Sequence, residues 1–151
     1  MTTLKPGDVA PLFSATDQHG KVISLQSLKG KKIVLYFYPK DDTPGCTAEA
    51  CNLRDNHSEL IKQGYVVIGV SPDPVAKHEK FAAKYELPFS LLPDTDKSII
   101  QAYGVWGPKK FLGKSYEGVY RTTFVIDENG LIEKVFTQVD TKEHTAQILK
   151  S

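Results

Sequence analysis

The chain of 151 residues holds two cysteines, and both fall in one stretch, Pro39-Lys-Asp-Asp-Thr-Pro-Gly-Cys-Thr-Ala-Glu-Ala-Cys51. The thiolate is the nucleophilic and redox-active form of cysteine, so the question is whether this setting favours it. Thr43 suits the N-cap of a helix, and Pro44 suits its first residue, where a missing N–H costs nothing. Cys46 then sits in the first turn, among unpaired backbone N–H groups and at the positive end of the helix dipole, both of which favour a thiolate. The Thr43 hydroxyl, three residues back, is placed to donate a hydrogen bond to the sulfur or to an oxygen approaching it. The competing reading is a buried cysteine acting as a small hydrophobe. The Thr, Pro and Gly of this polar loop argue against it.

The spacing of Cys46 and Cys51 sets a second constraint. Five residues of intact helix separate two Cα atoms by about 8.7 Å, from the rise, rotation and radius of the α-helix. A disulfide needs Cα atoms within about 7 Å. Either the two cysteines never pair, or the first turns of the helix unwind when they do.

The elements that must position this stretch follow from periodicity. Leu12 to Asp17 and Val22 to Leu25 flank a turn at Gly20 and predict a hairpin. Ile33-Val-Leu-Tyr-Phe-Tyr38 is continuous and rich in β-branched and aromatic residues, which predicts a fully buried central strand ended by Pro39. From about Pro44 to Gln63 the period is helical, with Ala50, Leu53, His57, Leu60 and Ile61 on one apolar face and Gly64 as the stop. Tyr65 to Val70 is a second buried strand, Pro74 to Tyr85 a helix, Phe89 to Leu92 a short strand and Asp96 to Tyr103 a helix. Tyr120 to Ile126 and Leu131 to Phe136 form a hairpin around Asn129-Gly130, and a last helix covers about Lys142 to Leu149. Strands alternating with helices, then a hairpin and a closing helix, predict an α/β fold with a mixed central sheet flanked by helices. The arrangement resembles the thioredoxin-like fold with an extra N-terminal β-hairpin, and the length suits one domain over residues 1–151.

Composition excludes several function classes. Nineteen Lys and Arg against eighteen Asp and Glu leave a formal charge of +1, so bulk electrostatics offers nothing to nucleic acid or an anionic membrane. Lys29, Lys31, Lys32, Lys109 and Lys110 are expected to be solvated loop charges. The first eight residues lack the apolar stretch of a signal peptide, and no run approaches the roughly 20 residues of a membrane span. A cytoplasmic, reducing setting is expected, in which a permanent disulfide is rare. No glycine-rich phosphate loop or dinucleotide fingerprint is present, so no cofactor is expected. Cys46, Cys51 and His57 match no common zinc spacing; His57 is expected in the core, and His19, His78 and His144 are given no role. A thioredoxin-type redox centre would need Cys-x-x-Cys.

Pro39-x-x-x-Thr43-x-x-Cys46 after an aromatic strand resembles the active-site signature of the peroxiredoxins, which are thiol-dependent peroxidases. With the second cysteine five positions on, the run Tyr36 to Thr47 is similar to the Q-type branch, also called bacterioferritin comigratory protein. The resemblance continues through Val67 to Asp73, Tyr103 to Lys110 and Arg121 to Asp127. It implies that Cys46 is the peroxidatic cysteine, oxidised by a hydroperoxide to a sulfenic acid. It implies that Cys51 resolves that acid into a disulfide, which thioredoxin or a similar dithiol protein reduces. Thr43 would hold the peroxide, Pro39 would shield the sulfur, Arg121 would stabilise the thiolate and the departing oxygen, and Glu49 would orient Arg121. The branch also implies a monomer. A different class of reading remains beside it, a non-enzymatic redox sensor or stress-responsive binding protein switched by Cys46–Cys51 oxidation.

Overall fold

The computed structural model describes residues 2–150. Strand β3 (Lys32–Phe37) is its axis, pairing parallel with β4 (Tyr65–Ser71) and antiparallel with β8 (Thr122–Ile126). The strands β5 (Ser90–Pro93) and β9 (Ile132–Phe136) complete a five-stranded mixed sheet in the order β5-β4-β3-β8-β9. Successive side chains of a strand point to opposite faces, and both faces here are covered. Ile33, Leu35 and Phe37 join Ile68, Val70, Phe124 and Ile126 in one core cluster, while Val34, Tyr36 and Tyr38 join Cys46, Ala50, Leu53 and Val125 in the other. That is why β3 reads as an uninterrupted apolar run rather than an alternating one.

The second cluster lies beneath α1 (Pro44–Asp55), α2 (His57–Lys62), α3 (Val75–Tyr85) and α5 (His144–Lys150), which bury Leu53, Leu60, Phe81 and Ile148 respectively. The first lies beneath α4 (Ser98–Ala102) and the hairpin β1–β2 (Ser14–Thr16 and Val22–Ser24). No helix among the described residues is long and apolar enough to cross a membrane.

The structure departs from the sequence pattern in several places. The helix expected over 44–63 is two helices, interrupted at Asn56, whose φ of −111° and ψ of 13° are not helical. The Asn56 side chain donates to the Asn52 carbonyl at 2.8 Å, the local competition that disfavours asparagine inside helices. The change of direction leaves Ile61 56% exposed, and His57 only half-buried against the Phe89 ring. The sequence reading also missed an antiparallel hairpin, β6 (Trp106–Phe111) with β7 (Lys114–Val119). Its two-residue turn is Leu112-Gly113, with φ of 52° and 79°. A leucine holds the left-handed position where Asn or Gly is the usual signal. Lys109 lies on β6, half-buried, with its ammonium donating to the Val119 carbonyl at 2.9 Å, so it is not a solvated loop charge. Last, His78 and His144, given no role from the sequence, are fully buried and hydrogen-bonded.

Gly69 of β4 pairs with Tyr36, and a Cβ built there would meet the Tyr36 ring and hydroxyl and Leu91, all at 2.9 Å. The glycine makes the space for a tyrosine whose hydroxyl is buried with no hydrogen-bond partner among the described residues. Gly69→Ala is expected to cost about 1–3 kcal/mol by overpacking, lowering Tm by several degrees. In a Tyr36→Phe background the cost falls. An equal or larger cost there, in calorimetry, contradicts the assignment of the Tyr36 hydroxyl as an obstructing group.

Candidate active site

Cys46 is the third residue of α1, and Thr43 precedes the helix in an extended conformation. The Thr43 carbonyl accepts the first helical bond, from Thr47 N at 2.8 Å, but its hydroxyl caps nothing. That hydroxyl donates to the Lys40 carbonyl at 2.9 Å, which corrects the expectation that it donates to the sulfur or to an oxygen approaching it. Its oxygen lone pairs remain able to accept. Half-buried Pro39 links β3 to this loop.

The loop between β3 and α1 is pinned from several sides. Asp41 accepts from the Tyr38 hydroxyl at 2.6 Å, and its other oxygen lies 2.6 Å from His78 Nδ1. Its backbone N–H donates to Asp73 at 2.8 Å. The His78 ring thus faces an acceptor at each nitrogen, since Nε2 lies 3.2 Å from the Leu92 carbonyl. Asp42 sits at φ 56°, an uncommon conformation for a side-chain-bearing residue, with its carboxylate held by Lys84 and the Tyr85 hydroxyl. None of these partners was legible as part of the site from sequence.

The Cys46 side chain is 1% exposed, in a core cluster rather than a polar loop. Arg121 reaches it nevertheless: Nη2 donates to Sγ at 3.3 Å and Nη1 donates to Glu49 Oε1 at 2.7 Å. Arg121 lies just ahead of β8 rather than in it. Gly45 permits its approach, since a Cβ there would come within 3.1 Å of Nη2. One guanidinium therefore spans the thiol and the carboxylate, the fork geometry that lysine cannot supply. Glu49 is fully buried, one helical turn beyond Cys46, and burial pushes its carboxyl up to about 7 despite the opposing Arg121 charge. Burial, with Glu49 and Cys46 adding to it, also raises the Tyr36 phenol well above its ordinary value, so it stays neutral.

His144, the first residue of α5, stands 3.7 Å from Glu49 Oε2, too far for a hydrogen bond. That oxygen has no hydrogen-bond partner among the described residues. Burial lowers the His144 pKa and favours the neutral ring. Gln147 Oε1 accepts from Asp140 N at 2.9 Å and lies 2.8 Å from His144 Nδ1, so Nδ1 carries the proton. Nε2 then accepts from the Thr123 hydroxyl at 2.8 Å. A lone histidine in a closing helix carried no sequence signal for this placement.

Cys51 is half-buried and free, as Cys46 is, and both lie on the unbroken helix α1. The structure thus brings Cys46, Glu49 and Arg121 together, with Thr43 and Pro39 on the adjoining loop. It leaves Cys51 one and a half turns further along the helix.

The Glu49 shift has a consequence for stability with a definite sign. Its folded value of about 7 exceeds its ordinary 4.5, so the folded state binds the proton more tightly. The resulting stabilisation is complete below about pH 4.5 and is lost as pH rises through 7. Relative to Glu49→Gln, which cannot titrate, wild type should therefore lose up to about 3 kcal/mol between pH 5 and pH 8. Urea unfolding at both pH values measures this, and parallel pH dependence in the two proteins contradicts it.

Residues 6–135 match the family described as AhpC/TSA. Peroxiredoxin Bcp of Escherichia coli is 47% identical over 149 residues, covering 99% of this chain and 96% of that one. Peroxiredoxin Bcp of Bacillus subtilis is 46% identical, covering 99% and 95%. Among solved structures, peroxiredoxin Q of Xanthomonas campestris superposes with a TM-score of 0.87 at 31% identity, covering 99% and 94%. Trapped-intermediate complexes of the bacterioferritin comigratory protein of that organism bear on its alkyl peroxide reduction activity. These agreements extend over nearly the full length, and the thioredoxin-like fold is common to them. The chain belongs to the AhpC/TSA family as a Q-type, or Bcp, peroxiredoxin, a thiol-dependent peroxidase.

Proposed function

We propose that Cys46 is the peroxidatic nucleophile and Cys51 its resolving partner. The observation that carries this reading is the 3.3 Å contact from Arg121 Nη2 to Cys46 Sγ. A buried thiolate is costly without a partner, and a fixed guanidinium supplies one without reorganising. The thiolate attacks the terminal oxygen of a hydroperoxide; an S–O bond forms, the O–O bond breaks, and the electron pair leaves on the distal oxygen. That oxygen takes a proton to become water or an alcohol, and the sulfur is left as sulfenic acid. The Arg121 side chain is 23% exposed, so it can serve the departing oxygen as well as the sulfur. Thr43, whose own proton is committed to Lys40, holds the peroxide by accepting from its O–H. Half-buried Pro39 limits water access to the sulfur.

Resolution follows when the Cys51 thiol attacks the sulfenic sulfur: an S–S bond forms, the S–O bond breaks, and hydroxide leaves as water with the thiol proton. The α1 helix must open for this, because helical spacing holds the two Cα atoms beyond disulfide reach. A thioredoxin-like dithiol protein then reduces the bond, and the protein works as a cytoplasmic monomer. The alkyl peroxide activity of the Xanthomonas relative supports organic hydroperoxides, alongside hydrogen peroxide, as substrates. Family membership favours this catalytic reading over a stoichiometric sensor.

Peroxide consumption with thioredoxin, its reductase and NADPH tests the assignment. Wild type should turn over many times and Cys46→Ser not at all. Cys51→Ser should react once and stall as a sulfenic acid; normal turnover of that variant with the dithiol protein sinks the resolving role. Arg121→Lys should slow the peroxide step by about 10²–10³-fold in stopped flow. A loss below threefold would show that the fork geometry is dispensable.

A further inference from the structure

The C-terminal helix α5 does not supply the cap of its own first turn. The first N–H groups of a helix lack intrahelical partners and must find them elsewhere. In α5 the N–H of Thr145 donates to Asn52 Oδ1 at 2.8 Å, across 93 positions of sequence. The other half of the same amide, Asn52 Nδ2, donates to the Lys142 carbonyl at 2.8 Å, just ahead of the helix. The Thr145 hydroxyl adds a longer bond to the Asn52 carbonyl at 3.4 Å. One planar side chain on α1 therefore clamps both sides of the α5 entry. It belongs to the residue immediately after Cys51.

We propose that Asn52 is a positioning residue for the resolution step: it holds α1 closed by capping α5, and oxidation to the Cys46–Cys51 disulfide breaks that cap and frays the first turn of α5. The inference rests on the resolving role assigned to Cys51 above. Bringing Cys46 and Cys51 into bonding distance unwinds residues 46–51. What remains of α1 ahead of the break at Asn56 is 52–55, a single turn, too short to persist as an isolated helix. Asn52 then leaves its place against α5. Glu49, on the unwound segment, leaves His144 at the same time, so α5 loses both its cap and the carboxyl beside its first residue. Ile148, fully buried in the core beneath the sheet, keeps the C-terminal end of the helix docked. The fraying is therefore confined to residues near 144–147. Conversely, the clamp raises the free energy of opening α1 in the reduced enzyme, and so it slows the attack of Cys51 on the sulfenic acid.

Hydrogen exchange read by mass spectrometry on the full chain tests the coupling, comparing reduced wild type with peroxide-treated wild type whose loss of two hydrogens confirms the disulfide. Amides of 144–147 should exchange about tenfold faster in the disulfide form, as expected for two lost hydrogen bonds. Peroxide-treated Cys51→Ser, which forms no internal disulfide, should keep the reduced pattern. A confirmed disulfide with unchanged exchange at 144–147 overturns the coupling and leaves the resolving role standing. Failure to form the disulfide at all overturns both. In stopped flow, Asn52→Ala should raise the rate of disulfide formation, relative to that of the peroxide step, by several-fold to about tenfold. Asn52→Asp keeps the oxygen that caps Thr145 and should fall between. A purely structural asparagine would lower Tm in Asn52→Ala and leave that ratio unmoved, and this result also overturns the proposal.

Discussion

One guanidinium placed between a thiol and a carboxyl in a nearly dry interior is the interaction on which the site depends. Cys46 and Glu49 are both buried to within 1% of completely, and two anions there would face a large desolvation cost with only the Arg121 cation between them. The cluster relieves this by keeping a proton on Glu49 up to about neutrality. While Glu49 is neutral, the Arg121 charge is left to the sulfur. As Glu49 ionises, its carboxylate and the Cys46 sulfur share the same cation. His144 bounds the other side of the carboxyl with an uncharged ring, whose tautomer is set by Gln147 and Thr123.

Around that cluster the loop on the N-terminal side of Cys46 is held from several directions. The loop of Pro39 to Thr43 is fastened by Tyr38, His78, Asp73, Lys84 and Tyr85, drawn from the residue after β3, the turn after β4, and α3. Such over-determination holds Asp42 in a left-handed conformation that would otherwise relax. The helix that follows is shorter than its sequence pattern suggests, since Asn56 ends it, and its far side is tied to α5 through Asn52. It is anchored by the burial of Cys46, Glu49, Ala50 and Leu53, which any opening of its first turns has to undo. The proposed cycle thus makes its two demands on opposite sides of Thr43: a preorganised pocket behind it and a helix that opens ahead of it.

Much of this was legible from local pattern. The apolar run at Ile33–Tyr38, the proline and threonine ahead of Cys46, the helical phase of Ala50, Leu53 and Leu60, and the Asn-Gly hairpin each depend on residues near one another in sequence, and each formed where expected. The hairpin at Leu112-Gly113 was not legible, because its turn chemistry is unusual and its strands are mostly exposed. The break at Asn56 was hidden because a helical apolar phase continues through it. Arg121 owed its place in the reading to resemblance alone.

The sequence by itself determined the chemistry available to this protein: a thiol at a helix start, a second thiol out of bonding reach along the same helix, and the alternation of strands and helices that carries them. Adjacent residues set these features through backbone geometry, capping and periodicity. Only the tertiary structure decided the electrostatics. Arg121 reaches Cys46 and Glu49 across more than 70 positions, His144 and Thr123 close the far side of the carboxyl, and Asn52 ties the redox helix to the C-terminal one across more than 90. The charge state of a buried group depends on which dipoles and charges are packed against it. That packing is settled when β3, β8, α1 and α5 come together, and no local pattern of residues encodes it.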